Sequence, residues 1–301
     1  MGSLVSIAIP AYSERHFPEA LASALAQDYS PLEVLVCDDS PGGAIEAAVR
    51  AVADPRVRYV RNPKNLGFAA NFTRCFGEAR GDLLKFLNDD DRLLPGCVDS
   101  LASVLDANPA VMLATSRRRV IDERGEPLPD IQATSPVALV SALVFGRELG
   151  DLALTNGVNV IGEPTTAMFR RSQLALEGAS IFRWGGRDYH CLADLSLWLR
   201  LLRTGLAYYC ASVLSEFRMH PGQEQERPGA RFECMVERLW IAREARRAGF
   251  LATRHAWRAA LGAVKARADL WQGAIGLDKA TRQALDDFVA ELDAEIAVAG
   301  P

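Results

Sequence analysis

The 301-residue chain lacks any run of about 18 apolar residues, the length a helix needs to cross a bilayer. Its longest apolar stretch, 137–145, is far too short. Its start also lacks a basic stretch followed by an apolar signal core, because Met1-Gly2-Ser3 runs straight into a strand pattern. Six cysteines are present but none forms a C-x-x-C pair, so neither a zinc knuckle nor a thioredoxin-type motif is encoded. Cys37 and Cys75 have apolar neighbours, where a reduced thiol acts as a small hydrophobe. A reducing cytoplasm is the simpler expectation. The net charge of -4 gives no bulk attraction to nucleic acid. No G-x-G-x-x-G follows the first strand, which argues against a dinucleotide-dependent dehydrogenase, and no internal repeat or low-complexity tract occurs.

What is present suits a chain with a sizeable core, since 49% of residues are hydrophobic and 24% charged. The length accommodates one large α/β domain with an extension, or two modest domains. Strand patterns at 5–9, 32–37, 57–60 and 82–87 alternate with helical patterns at 17–27, 44–53, 68–79 and 95–106. Such alternation predicts a parallel sheet covered by helices. Beyond 111 the pattern loosens: 129–157 fits no element, 164–169 reads as a strand, a short helix follows Ser172, and 194–204 reads as an amphipathic helix closed by Gly205. After His220-Pro221-Gly222 three helices follow, beginning with the spacing of Phe232, Met235, Val236, Leu239 and Trp240.

Two of the predicted strands end in acidic residues, Asp38-Asp39 and Asn88-Asp89-Asp90-Asp91. In open α/β sheets, ligands bind at the carboxyl edge of the strands. Three adjacent carboxylates repel one another, and a hard divalent cation such as Mg²⁺ or Mn²⁺ offsets that repulsion while bridging phosphate oxygens. Taken by itself, the triplet also reads as a solvated turn that caps the next helix. Asp194 carries the same ambiguity, being either an N-cap or a carboxylate placed for chemistry, with Asp188 as the nearest alternative.

Five ordered motifs narrow these choices. Val5-Ser6-Ile7-Ala8-Ile9-Pro10-Ala11-Tyr12, Val36-Cys37-Asp38-Asp39-Ser40, Asn65-Leu66-Gly67-Phe68 with Asn71, Phe86-Leu87-Asn88-Asp89-Asp90-Asp91, and Asp194-Leu195-Ser196-Leu197-Trp198-Leu199-Arg200-Leu201 together resemble family 2 glycosyltransferases with the GT-A fold. The resemblance implies a Rossmann-like, mostly parallel sheet flanked by helices over residues 1–222, with a nucleotide-binding half at 1–110 and an acceptor-binding half at 111–222. Residues 223–301 would form a helical extension. It implies inverting transfer of a sugar from a UDP- or dTDP-sugar to a hydroxyl of a glycan, lipid-linked or protein acceptor, with Mg²⁺ or Mn²⁺. A sugar-nucleotide nucleotidyltransferase and a non-catalytic nucleotide-sugar-binding module are the alternatives.

Carried over residue by residue, the resemblance places Tyr12 against the base, with Pro10 and Ala11 lining the pocket and Glu14 near the ribose or base. It gives Asp39 the base N–H, places Asn65 and Gly67 in the nucleotide loop, and sets Asp89 at the ribose. Asp90 becomes the metal ligand, with Asp91 a second. Asp194 becomes the general base. Arg218-Met219-His220 resembles the R-x-H segment, which makes His220 a candidate for the metal and Arg218 for the diphosphate. Acceptor contacts are expected from Glu163-Pro164-Thr165-Thr166, Thr165 included, and from Trp184 in the loop 182–186. A tryptophan there also suits a core, and Arg218 also suits a solvated loop.

Between Arg227 and Arg267 ten basic and three acidic residues occur, and an acidic final helix follows. Basic amphipathic helices can dock on an anionic membrane. The other expectation is a helical cap that covers the sheet, in which the two charge blocks partly neutralise each other.

Overall fold

The computed structural model describes residues 2–220, 230–272 and 278–299. The expected boundary at 222/223, and with it Arg227, lies outside them. In chain order the elements are β1 (Val5–Ala11), α1 (Phe17–Leu25), β2 (Leu32–Asp38), α2 (Ala44–Val52), β3 (Val57–Arg61), α3 (Phe68–Glu78), β4 (Leu83–Phe86), β5 (Arg92–Leu93), α4 (Cys97–Ala107), β6 (Val111–Ile121), β7 (Ala142–Phe145), α5 (Gly146–Asn156), β8 (Met168–Arg170), β9 (Arg183–Trp184), β10 (Arg187–Asp188), α6 (Ala193–Leu202), β11 (Leu206–Arg218), α7 (Ala230–Arg247), α8 (Arg254–Gln272) and α9 (Lys279–Val298).

β1, β2 and β4 are buried along their whole length, which is why they read as continuous apolar runs rather than as alternation. They lie in one sheet of order β3-β2-β1-β4-β8-β6-β11-β5, with β7 paired to β11. β1 to β4 are mutually parallel and β6 is parallel to β11, whereas β8, β5 and β7 run antiparallel to their neighbours. The mixed α/β architecture with a mostly parallel sheet is the one expected. Pro10 lies beyond the last β1–β4 pair, Ala8 with Phe86, so its missing N–H breaks no bond of that ladder.

Residues from α1, α2 and α4 form one apolar cluster with the sheet, and residues from α3, α5 and α6 form the other. Behind α5 and α6, α7 to α9 contribute Leu239, Leu261 and Leu292 to that second cluster. Arg243 on α7 meets Glu291 at 2.7 Å and Glu295 at 2.5 Å, and Lys265 lies 3.5 Å from Asp293. Arg243 and Lys265 of the basic block thus pair with the acidic final helix within a helical cap. Among the described residues, no helix is long and apolar enough to cross a membrane.

Several expectations need correction. The strand expected at 164–169 is only Met168–Arg170, because 164–166 forms a turn. The segment without a pattern holds β7 and α5, and the 13-residue β11 gave no clear sequence signal. β6 and β11 interleave polar and charged residues such as Arg117, Arg119 and Glu216, which hides their periodicity. Six reduced thiols are also not observed. Cys191 is bonded to Cys234, with the Cα atoms 5.1 Å apart, while Cys37, Cys75, Cys97 and Cys210 are free and buried.

Gly81 packs its bare Cα against the backbone at the start of β1, where an added Cβ would stand 2.5 Å from Ser6 N. Gly81→Ala is expected to cost about 1–3 kcal/mol, measured by urea unfolding, because neither backbone segment can yield without moving β1.

Candidate active site

The carboxyl ends of β1, β2 and β4 meet at one rim. Asp39 follows β2; its N–H donates to Ala11 O at 2.8 Å, fixing it beside the end of β1. Its buried carboxylate accepts from Leu66 N at 2.7 Å, Gly67 N at 2.9 Å and Asn62 Nδ2 at 2.8 Å. Gly67 has φ of 83°, a left-handed conformation that turns this loop at little cost only for glycine. The Asn65 amide donates to Asp39 O at 3.0 Å. Asn65 and Gly67 therefore hold Asp39 in place. A carboxylate has about four lone-pair sites, so one stays open for a ligand N–H.

Asp38 is turned elsewhere. It accepts from Ser40 N at 2.8 Å and Tyr59 Oη at 2.7 Å, and it pairs with Arg61. Burial raises its pKa, but these bonds outweigh burial and hold the carboxyl below its ordinary value.

Asp89 lies under the loop that leaves β1, where its Oδ2 accepts from Tyr12 N and Ser13 N, both at 2.7 Å. Burial, then the neighbouring Asp90 charge, push its carboxyl up to about 6. On this loop the Tyr12 side chain is 57% exposed and Glu14 is exposed too, so a flat ligand has access to the ring. Pro10 and Ala11 are buried and offer backbone only.

Asp90 keeps an accessible carboxylate, and its Oδ2 lies 3.2 Å from His220 Nε2. His16, which had no pattern to single it out, is buried with its ring 5.6 Å from that of His220. Burial, then the Arg218 charge, lower the pKa of His16. Among the described residues no three His, Cys, Asp or Glu side chains converge as a metal cage. Asp90 and His220 still fit a hard divalent ion that takes its remaining ligands from phosphate and water, as Mg²⁺ commonly does.

Asp91, Arg218 and Thr165 are scaffold. Asp91 Oδ2 accepts from the Thr165 hydroxyl at 2.6 Å and from Asn88 Nδ2 at 3.1 Å, and its Oδ1 accepts from Arg218 N at 2.9 Å. Burial and the Asp90 charge push this carboxyl well up. A metal role for Asp91 does not suit a group so enclosed. The fully buried Arg218 guanidinium donates to Asp90 O at 2.7 Å, Asp122 O at 3.2 Å, Glu123 O at 3.1 Å and Glu19 at 2.7 Å, so it stabilises carbonyls rather than facing a diphosphate. Thr165 is buried, and its carbonyl receives the buried Lys85 Nζ at 2.6 Å. Trp184 is likewise not a stacking platform. It is 3% exposed within the core, at one side of a hairpin whose turn residues Gly185 and Gly186 have φ of 59° and 79°.

The loop 159–165 joins this rim to Asp194. Its Thr165 holds Asp91, while its Asn159 donates Nδ2–H to Asp194 Oδ2 at 2.8 Å. Arg118, buried on β6, donates to Asn159 O at 3.1 Å and pairs with Glu163 at 2.5 Å. Six residues of chain keep the two anchor points within about 20 Å. Asp194 is not a cap. The cap of α6 is Leu192 and that of α4 is Gly96, both without a side-chain bond, so the capping alternatives for Asp194 and the Asp89–Asp91 run both fall. Asp188 is exposed in the hairpin and pairs with Arg183 at 2.6 Å. Burial, then the Glu163 charge, push the Asp194 carboxyl up to about 6. Asn159, Arg118, Lys85 and His16 escaped the sequence reading because none stands in a motif; only a contact across the sheet marks them.

The model of "Glycosyl transferase family 2" matches residues 6–175, more than half of the chain. An uncharacterised protein of Mycobacterium tuberculosis is 31% identical over 252 residues, covering 79% of this chain and 74% of its own. The succinoglycan biosynthesis protein ExoO of Rhizobium meliloti is 32% identical over 154 residues, 48% of this chain and 44% of its own. Among solved structures, Staphylococcus aureus TarS 1–349 superposes with a TM-score of 0.67 at 15% identity, covering 98% of this chain and 82% of that one. The same protein in complex with UDP-GlcNAc gives 0.64 at 14% identity, over 99% and 81%.

The raised Asp194 carboxyl has a consequence for stability. Between about pH 4 and 6 the folded chain binds more protons here than the unfolded one, so this contribution falls as pH rises through that window. Asp194→Asn is expected to gain about 1–2 kcal/mol at pH 8 in urea unfolding, shrinking towards pH 4.5. A gain that grew on acidification would contradict the assignment.

Proposed function

Since the chain belongs to glycosyltransferase family 2, we propose that it transfers a sugar, with inversion, from a UDP- or dTDP-sugar to an acceptor hydroxyl. Succinoglycan biosynthesis in one relative favours a growing bacterial polysaccharide as the acceptor, and the UDP-GlcNAc bound by the structural neighbour favours a uridine nucleotide. The observation that carries the reading is the loop 159–165, which holds Asp91 beside Asp90 at one end and Asp194 at the other.

Residues 1–110 take the nucleotide and 111–222 the acceptor, with the helical extension behind them. The exposed Tyr12 ring stacks on the base, while the open lone pair of Asp39 accepts its N–H. Asp89 and Glu14 lie towards the ribose. Asp90 and His220 would hold Mg²⁺ or Mn²⁺, which when bound neutralises charge on the departing diphosphate. Asp194, its carboxyl pushed up to about 6 by burial and Glu163, takes the proton of the acceptor hydroxyl as that oxygen attacks C1. Asn159 fixes the carboxylate that receives it.

Two measurements test this. Calorimetry should find UDP or dTDP binding that weakens at least tenfold with EDTA or on Asp90→Ala; undiminished binding would count against the metal assignment. Asp194→Asn should lower kcat for transfer or donor hydrolysis by roughly 10²–10⁴-fold while donor KM stays within about threefold. The acid limb of wild-type kcat should fall below about pH 6. A variant with full turnover would remove Asp194 as the base, and the absence of donor turnover in the wild type would favour a binding module.

A further inference from the structure

Consecutive residues of α7 grip both sides of the Asp194–Asn159 hydrogen bond. The buried Glu237 carboxylate accepts from His190 N and Leu192 N, both at 2.9 Å, so it fixes the segment that ends two residues before Asp194. The next residue, Arg238, donates to Gly157 O at 2.6 Å, two residues before Asn159, and Arg267 of α8 donates to the same carbonyl at 2.9 Å. One turn earlier on α7, Cys234 is bonded to Cys191, three residues before Asp194. The helix is therefore tied to the base-bearing segment by a covalent bond and two backbone hydrogen bonds, and to the partner segment by a third hydrogen bond.

Both bonded cysteines are partly exposed, whereas the four free thiols are buried. A small dithiol in solution therefore reaches this sulfur pair more readily than any other in the described chain. Releasing the bond leaves the two Glu237 hydrogen bonds, the stacking of Arg187 on Trp240 at 4.4 Å and the buried Tyr189 and Leu192 side chains to hold a loop that begins at the exposed turn Gly185-Gly186.

We propose that α7 is a positioning element for the general base, and that the Cys191–Cys234 bond is a redox-sensitive latch on it. The inference rests on the reading of Asp194 given above. In the reducing step a dithiol's thiolate attacks one sulfur and the protein S–S bond breaks. The mixed disulfide is resolved by the second thiol. Two electrons and two protons pass to the protein, giving two cysteine thiols and an oxidised cyclic disulfide. Glu237 and the latch act only through the placement of Asp194, so their loss should appear in turnover and not in nucleotide binding, whose residues lie at the other end of the rim.

The test uses the full chain, untreated or reduced with dithiothreitol, with thiols counted in each state. Hydrogen exchange at amides 190–195 needs no substrate. On reduction it should accelerate at least tenfold while residues 5–11 and 32–38 are unchanged. With UDP-GlcNAc as the probe donor, kcat for UDP release should fall about tenfold at constant KM. Glu237→Gln in the oxidised chain should reproduce the kcat-only loss, because an amide leaves one of the two N–H groups facing a donor. Six titratable thiols in the untreated chain, unchanged exchange after verified reduction, or a KM that moves in step with kcat would overturn the proposal. Asp194→Asn separates the two ideas: a fully active variant removes the base, while an inert variant beside a reduction-indifferent wild type removes only the latch.

Discussion

Acidic side chains crowded along the carboxyl edge of one sheet repel one another, and the way each is met by a donor organises the rest of this molecule. Backbone N–H groups meet Asp39 from Leu66 and Gly67, Asp89 from Tyr12 and Ser13, and Asp91 from Arg218. Arg61 and Arg118 neutralise Asp38 and Glu163. A buried negative group left without such partners would cost several kcal/mol, so the loops around the rim have little freedom to be elsewhere.

The donors are allotted unevenly. Asp38, Asp91 and Glu163 are tied within the protein and act as mortar between strands and loops. Asp90 remains accessible beside His220, and Asp39 keeps one lone pair open. Asp194 receives the amide of Asn159 and the N–H of Leu195 but forms no ion pair among the described residues, which leaves burial and Glu163 to raise its pKa. Electrostatics of this kind separates carboxylates that build from carboxylates free to react.

The helices behind the sheet belong to the same system. α7 fixes the segments that lead into Asp194 and Asn159 through Glu237 and Arg238. Its outward charges are matched by α9 through Arg243. A C-terminal extension that looks like a detachable basic block along the chain is, in space, a wall behind the segments that carry Asp194 and Asn159.

The sequence alone determined the alternating first half and set Asp39, Asp89 and Asp90 at strand ends, because buried parallel strands are continuous apolar runs and the acidic residues follow them directly; Asp194, on a helix, was marked only by the ordered motifs that also pointed to the family. It could not say which carboxylates stay open, since that depends on donors contributed from far along the chain: Thr165 and Arg218 to Asp91, and Asn159 to Asp194. Trp184 shows the same limit, because two glycines mark a turn but do not reveal which face of the hairpin meets the core. The polar-rich β6 and β11 hid their period, and the bond between Cys191 and Cys234 joins residues 43 apart with no local signature. Local chemistry was written in the order of residues, while the division between enclosed and open carboxylates was decided by contacts that only folding creates.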